Sequence, residues 1–370
     1  MDKKPLGIYV HIPFCVRKCL YCDFVSYPLE KGDIKESFID SYFRRLRQQI
    51  SLKADVYSNK YYVDTVFFGG GTPTVVSAEK IISVLDAVRD GFDVTQDAEI
   101  SIEANPGTVD RAKLQALADA GFNRLSLGVQ SFDDGVLKAL GRIHDSGTAI
   151  DAFNMVSETK GGCGWAFSRN IDLMFGVPGQ TAEIWRATLE QALKLRPEHI
   201  SFYSLQLEEG TPLYDSYRFG QTELPSWEEN RRMYQLAVRM LKDAGYHHYE
   251  ISNAAIPGHE CRHNLKYWTM QEYLGFGLSA HSYIDGERTG DDAPDAKGDF
   301  VFTELRLIDG FDPEDYRKAF GSSFEKDFEP SFSELLNEGL LEYRAGRIAL
   351  TEKGLDYTNP VMEKLLNNTL

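Results

Sequence analysis

Short β-branched and aromatic runs alternate with longer stretches of helical apolar periodicity over the first 250 residues or so, the rhythm of repeated βα units. The runs predict strands over residues 7–12, 65–68, 99–104, 124–129, 170–175 and 199–205. Between them the periodicity predicts helices over 34–52, 78–89, 111–120, 182–195 and 228–244, two of which stop at Ala120-Gly121 and Ala244-Gly245. Most of the strands are apolar at alternate or consecutive positions, as parallel strands covered on both faces are. The expected fold is α/β: a partial (β/α)6 TIM-type barrel over residues 1–250.

The pattern changes after that. Residues 251–298 read as a connecting region, and about Gly286 to Gly298 it is rich in Asp, Gly, Ala and Pro, as a loop is. Beyond it, segments 302–307, 313–320 and 332–338 precede two short apolar runs that bracket Ala345-Gly346, a hairpin-like pattern. Residues 299–370 are therefore expected to form a small C-terminal α+β domain of winged-helix-like build. A chain of 370 residues exceeds what one compact core usually holds, and an apolar content of 42% suffices for two.

Charge narrows the partners. Lys and Arg total 40 against 56 Asp and Glu, a formal charge of -16 that repels a phosphate backbone, so nucleic acid is not an expected partner. No apolar run is long enough to span a bilayer, and Met1-Asp2-Lys3-Lys4-Pro5 leads into a strand too short for a signal segment; a cytoplasmic location is expected.

The chemistry concentrates at the predicted C-terminal ends of the strands, where barrels build their sites. After the first strand come Cys15, Cys19 and Cys22, spaced C-x3-C-x2-C. Three thiolates suit a 4Fe–4S cluster with one iron left open to a small molecule, whereas a structural zinc site wants a fourth ligand and a disulfide framework wants an oxidising compartment. Gly69-Gly70-Gly71 follows the second strand, where glycines make a tight turn or let backbone approach a ligand. Glu103 and Asp172 sit on otherwise apolar strands: capping or ion-pair residues on the plainer reading, or partners of a cationic ligand. Gln130 and Arg142 say little alone.

Taken together, the run from Tyr9 through Phe24, Gly69-Gly70-Gly71-Thr72-Pro73, Glu103-Ala104-Asn105-Pro106, Leu127-Gly128-Val129-Gln130-Ser131-Phe132, Leu140-Gly141-Arg142-Ile143-His144 and Asp172 through Gln180 resemble the coproporphyrinogen III oxidase-like branch of radical S-adenosylmethionine (SAM) proteins. Tyr249-Glu250-Ile251-Ser252-Asn253 and His263-Asn264-Leu265-Lys266-Tyr267-Trp268 bring the chain closer to that branch's heme chaperones. The resemblance implies that Cys15, Cys19 and Cys22 hold the cluster and that Tyr9, Gly70 and Glu103 bind SAM. Tyr21, Gly71, Thr72, Gln130, Arg142 and Asp172 match positions that contact a second SAM in the related dehydrogenase. That enzyme carries another cysteine two residues after the third, where this chain has Phe24, and a longer N-terminal segment.

His263, Asn264, Tyr267 and Trp268 form an HNxxYW element. An imidazole is a good axial heme ligand and aromatic rings cover a porphyrin face, while a core histidine beside aromatics is the plainer reading. His281 and Cys261 are nearby in sequence with no compelling spacing, and Cys163 reads as a loop thiol. The implied function is a heme chaperone with a 4Fe–4S cluster, SAM and heme, which delivers heme to acceptor hemoproteins of the respiratory chain and forms a cluster-dependent homodimer. The alternative is the oxygen-independent coproporphyrinogen III dehydrogenase of porphyrin biosynthesis. No residue is singled out as catalytic.

Overall fold

A computed structural model describes residues 3–30, 32, 34–162, 164–289 and 295–367. Cys163 and the middle of the Asp- and Pro-rich loop lie outside the described residues. Six parallel strands form the centre of one sheet: β1 (Lys4–Ile12), β2 (Tyr61–Gly70), β3 (Asp93–Ala104), β4 (Arg124–Gln130), β5 (Ser168–Phe175) and β6 (His199–Ser204), paired in that order. Each predicted strand is present, most of them extended by a few residues at one end or both.

Helices cover the outer face. Glu36–Tyr57, Ala78–Gly91, Arg111–Asp119, Ala182–Leu195 and Trp227–Asp243 match the predicted segments closely, and Asp134–Ala139 with Ser146–Glu158 fill the gap between β4 and β5 that the periodicity left open. The last of the predicted five starts from a reciprocal cap in which Ser226 and Glu229 satisfy each other's backbone N–H. Ile100, Ile102, Leu125, Leu127, Ile171, Leu173, Ile200 and Phe202 point outward into the helical layer and are buried.

The inward positions differ from the expectation of strands apolar on both faces. Glu103, Arg124, Ser126, Asn170, Asp172 and Ser201 line an interior cavity of about 220 Å³. Because strand side chains alternate, every second residue of these strands belongs to this polar lumen and its neighbours to the core.

Residues 251–298 do more than connect. Residues 253–255 pair with β6, and β9 (Tyr273–Phe276) lies parallel to β1 after β7 (His247–Glu250) and β8 (Asn253–Ala255) have closed the opposite edge. β10 (Ser282–Ile284) and β11 (Glu287–Thr289) complete the sheet beyond β9, so a short strand runs through Arg288. The sheet stays open: among the described residues no pairing joins its two edges.

The C-terminal residues have a core of their own, built from Phe300, Phe311, Tyr316, Phe324, Phe328, Phe332, Ile348, Val361 and Leu365. The hairpin β12 (Leu341–Arg344) and β13 (Arg347–Leu350) turns at Ala345 and Gly346, both with positive φ, which matches strand twist. Helix Thr358–Leu366, which the sequence pattern did not single out, covers the far side. Among the described residues no helix is long and apolar enough to cross a membrane.

Candidate cluster and cofactor site

The cysteine loop is fixed by the strand it leaves. Phe14 and Cys15 pair with Tyr27 and Pro28, and Gly71 and Thr72 donate backbone N–H groups to Ile12 O (2.9 Å) and Phe14 O (2.7 Å). Glycine is required at Gly71: a Cβ there would lie 2.7 Å from Phe14 O and 3.0 Å from Cys15 Sγ. Gly70 adopts a φ of 115°, open only to glycine, and a Cβ would meet the His11 ring at 2.7 Å.

Cys15, Cys19 and Cys22 all line one cavity of about 370 Å³ at the C-terminal rim. A chain of hydrogen bonds joins two of the thiols around its wall. Thr72 Oγ1 donates to Cys15 Sγ (3.7 Å), Asn105 Nδ2 donates to Thr72 Oγ1 (2.7 Å), Arg142 Nη2 donates to Asn105 Oδ1, and Arg142 Nη1 donates to Cys19 Sγ (3.4 Å). Gly128 O accepts from the same Arg142 Nη2 (2.6 Å), at a residue whose Cβ would collide with Asn105 Oδ1. Burial pushes the Cys15 thiol up and that of Cys22 to about 11, so without a bound metal both stay protonated at neutral pH. Such thiols lose their protons when iron takes them as ligands. Among the described residues no three His, Cys, Asp or Glu side chains converge on a single ion, whereas in a cluster each thiolate takes its own iron. The donor set fits a three-cysteine cluster.

The same cavity holds Gly70, Gly71, Thr72, Glu103, Gln130, Arg142, Asp172 and Tyr21. Positions implied for a first and a second SAM therefore share one cavity. Tyr9 does not line it; its ring lies deeper, stacked on Phe67 and His263, and its hydroxyl meets His11 Nδ1 at 3.2 Å. Glu103 accepts one N–H from Gly70 (3.2 Å), and burial with repulsion from Asp172 pushes its carboxyl up to about 8. Asp172 accepts from Ser126 Oγ (2.9 Å) and Asn170 Nδ2 (2.7 Å), but burial still raises it. Two carboxyls whose charged forms are disfavoured by desolvation suit the ammonium and sulfonium of SAM. Gln130, at a φ of 68°, is held by Tyr203, whose hydroxyl donates to its Oε1 at 2.9 Å.

A second, larger opening of about 580 Å³ runs from the cysteine loop along the inner side of β1. Phe24, Tyr267, Trp268, Met270, Tyr283 and Phe302 give it an apolar wall. Asp23 and Phe24 line both openings, and Phe24 is 63% exposed.

Helix Arg262–Trp268 carries the HNxxYW element into the lumen. Glu99 accepts the backbone N–H groups of Arg262 (3.0 Å) and His263 (3.1 Å), and Lys266 passes the Cβ-less Gly7 to reach Asp64 at 2.9 Å. Its four expected residues part company. Tyr267 and Trp268 line the apolar groove, and Asn264 lines the polar lumen. His263 is not brought to the groove: its ring is fully buried, Nδ1 is bonded with Thr65 Oγ1 (2.9 Å) and Nε2 with Tyr267 OH (2.8 Å), and burial lowers its pKa to about 3. Sequence reasoning missed Arg124, Ser126, Asn170 and Ser201, whose signal was a polar residue at every second place in strands that otherwise read as apolar.

Residues 9–192 match the Radical SAM superfamily and residues 292–357 the HemN C-terminal domain. The chain is 34% identical to Heme chaperone HemW of Lactococcus lactis subsp. lactis, over 99% of this chain and 98% of that protein. It is 35% identical to Heme chaperone HemW of Escherichia coli (strain K12), over 98% of each. In structure it resembles the radical SAM enzyme coproporphyrinogen III oxidase (HemN) of Escherichia coli, with a TM-score of 0.80 and 25% identity over 98% of this chain and 90% of that one. With full-length kinship of this degree joined to a three-thiol rim, the chain belongs to the heme chaperone HemW family of radical SAM proteins.

Proposed function

We propose that this protein is a cytoplasmic heme chaperone that receives heme in the apolar groove and passes it to acceptor hemoproteins of the respiratory chain. In this reading Cys15, Cys19 and Cys22 carry a 4Fe–4S cluster, and the adjoining cavity takes SAM, with Glu103 and Asp172 facing its cationic groups and Gly70, Gly71, Thr72, Gln130, Arg142 and Tyr21 around it. When bound, the cluster supplies an open iron for SAM and a one-electron redox centre. The chain's own residues hold the two guests side by side: Arg142 steadies Cys19, and Tyr9 and Tyr267 separate lumen from groove. A cluster-dependent homodimer belongs to the same proposal.

The observation that carries it is the groove itself. At about 580 Å³ it lies within the size of cofactor sites, its wall is aromatic, and Phe24 brings it against the cysteine loop. Phe24 also stands where the dehydrogenase has its further cysteine. Anaerobic reconstitution with iron and sulfide, followed by heme titration with and without SAM, tests this reading; a protein loaded with cluster that shifts no heme Soret band sinks it.

The structural likeness to HemN favours one second reading, oxidative decarboxylation of coproporphyrinogen III. Anaerobic incubation of the reconstituted protein with coproporphyrinogen, SAM and reductant distinguishes the two, since accumulating protoporphyrinogen would replace the chaperone reading.

A further inference from the structure

We infer that the polar lumen enclosed by the strands is a carboxylate site, with the guanidinium of Arg124 as its receptor. Two sources can supply the group: a propionate of heme, which rests on the heme reading above, and a free small carboxylate such as formate or acetate, which does not.

Arg124 begins β4, opposite Ser101 of β3 and Ser168 of β5, and its side chain lines the lumen at 3% exposure. Its Nε meets no acceptor, and among the described residues no ion pair engages its guanidinium. Three acidic groups, Glu99, Glu103 and Asp172, are near enough to act on it through space, yet each is taken up elsewhere. Glu99 accepts the backbone N–H groups of Arg262 and His263, Glu103 accepts that of Gly70, and Asp172 accepts from Ser126 Oγ and Asn170 Nδ2. A guanidinium buried without a hydrogen-bonded anion is costly, because its donors have left water and found nothing in return. An anion from outside the chain removes that cost.

The space suits a small planar oxyanion. About 220 Å³ holds a carboxylate on a short carbon stem, and the guanidinium fork matches its two oxygens. Asn264 lines the same space and adds an amide donor. Desolvation disfavours the charged forms of Glu103 and Asp172, which lessens the repulsion an entering monoanion meets; a doubly charged phosphate would meet more of it. Arg124 does not line the cysteine cavity, which sets it apart from the residues around SAM. Tyr9 and Tyr267 line both lumen and apolar groove, so the two spaces share a wall across which a propionate would reach.

The test uses the full chain with its cluster reconstituted, as wild type, Arg124→Gln and Arg124→Met. Thermal unfolding is followed in sodium formate, acetate and propionate against sodium chloride at equal ionic strength. Heme and heme dimethyl ester, whose propionates are blocked, are titrated in parallel, SAM affinity is measured, and iron and sulfide are assayed on each sample so that proteins are compared at equal loading. Wild type is expected to unfold at a higher temperature in the carboxylates than in chloride, and to bind the ester at least about tenfold more weakly than heme. Both variants are expected to lose these two differences. Stabilisation by free carboxylates with equal binding of heme and ester upholds the site and assigns it to a free carboxylate. Wild type that shows neither difference, or variants that keep both, overturn the inference; so does an Arg124 variant that keeps both and loses SAM affinity instead. The wild-type comparisons need no variant to fold. Wild type that takes up no heme sinks the chaperone reading, and the unfolding series then decides the lumen site by itself.

Discussion

Replacing Glu103 by Gln should make the metal-free protein more stable in mildly alkaline solution. The carboxyl is half-buried in the cavity wall and its pKa rises from 4.5 to about 8, through desolvation first and repulsion from Asp172 second. A folded-state pKa above the unfolded value means that the native state holds a proton the unfolded chain releases. Stability from this group is therefore greatest at low pH and is lost as pH rises from about 4.5 to about 8, beyond which the loss is complete. At 1.36 kcal/mol per pKa unit the whole window corresponds to about 5 kcal/mol, of which about 2 kcal/mol falls between pH 6 and 8. Glutamine fills the same volume, can accept the Gly70 N–H and carries no charge to desolvate. Urea unfolding of both proteins at several pH values gives the difference in slope, which cancels other titrating groups such as Glu304. The variant is expected to gain on wild type by about 2 kcal/mol between pH 6 and 8. Equal slopes would refute the picture of a carboxyl that lacks a cation. On the proposed SAM site the same substitution should weaken SAM binding at least tenfold, because it removes the negative charge proposed to face the ammonium.

Other perturbations probe separate parts. Arg142→Lys keeps the charge but loses the fork that spans Cys19, Asn105 and Gly128, so iron and sulfide per chain after anaerobic reconstitution should fall by half or more; full loading would argue against a role for the wall network. Gly71→Ala drives a methyl toward Phe14 O and Cys15 Sγ and should cost about 1–3 kcal/mol in denaturant unfolding together with cluster content. Trp185→Ala empties a fully buried site whose Nε1 donates to Met233 O (2.8 Å) and should cost about 3–5 kcal/mol with no change in heme affinity of the folded fraction. Phe324→Ala should cost a similar ~3–5 kcal/mol, read as an early thermal transition of the C-terminal core.

Local information was enough for much of this. Apolar periodicity and breaker residues located the six central strands and five of the flanking helices, because burial on one face leaves its mark within a few neighbouring positions. Helices Asp134–Ala139 and Ser146–Glu158 escaped, being rich in small residues with little apolar contrast, although Asp133 and Asp145 cap them as their residue types suggest. The cysteine spacing and the glycine run declared the rim chemistry, since thiolate count and backbone freedom are properties of the residues themselves.

The amino-acid sequence by itself determined the βα repeat, the three-thiol loop and the kinship that follows from its motifs. Tertiary structure alone decided which atoms meet the histidines: His263 is capped by Thr65, 198 residues away, and His11 is held between Tyr9 and Val25. The same holds for the necklace from Cys15 through Thr72, Asn105 and Arg142 to Cys19, whose members come from the ends of β1, β2 and β3 and from the turn after helix Asp134–Ala139. Periodicity records whether a side chain is buried, but not which atom from a distant strand meets it.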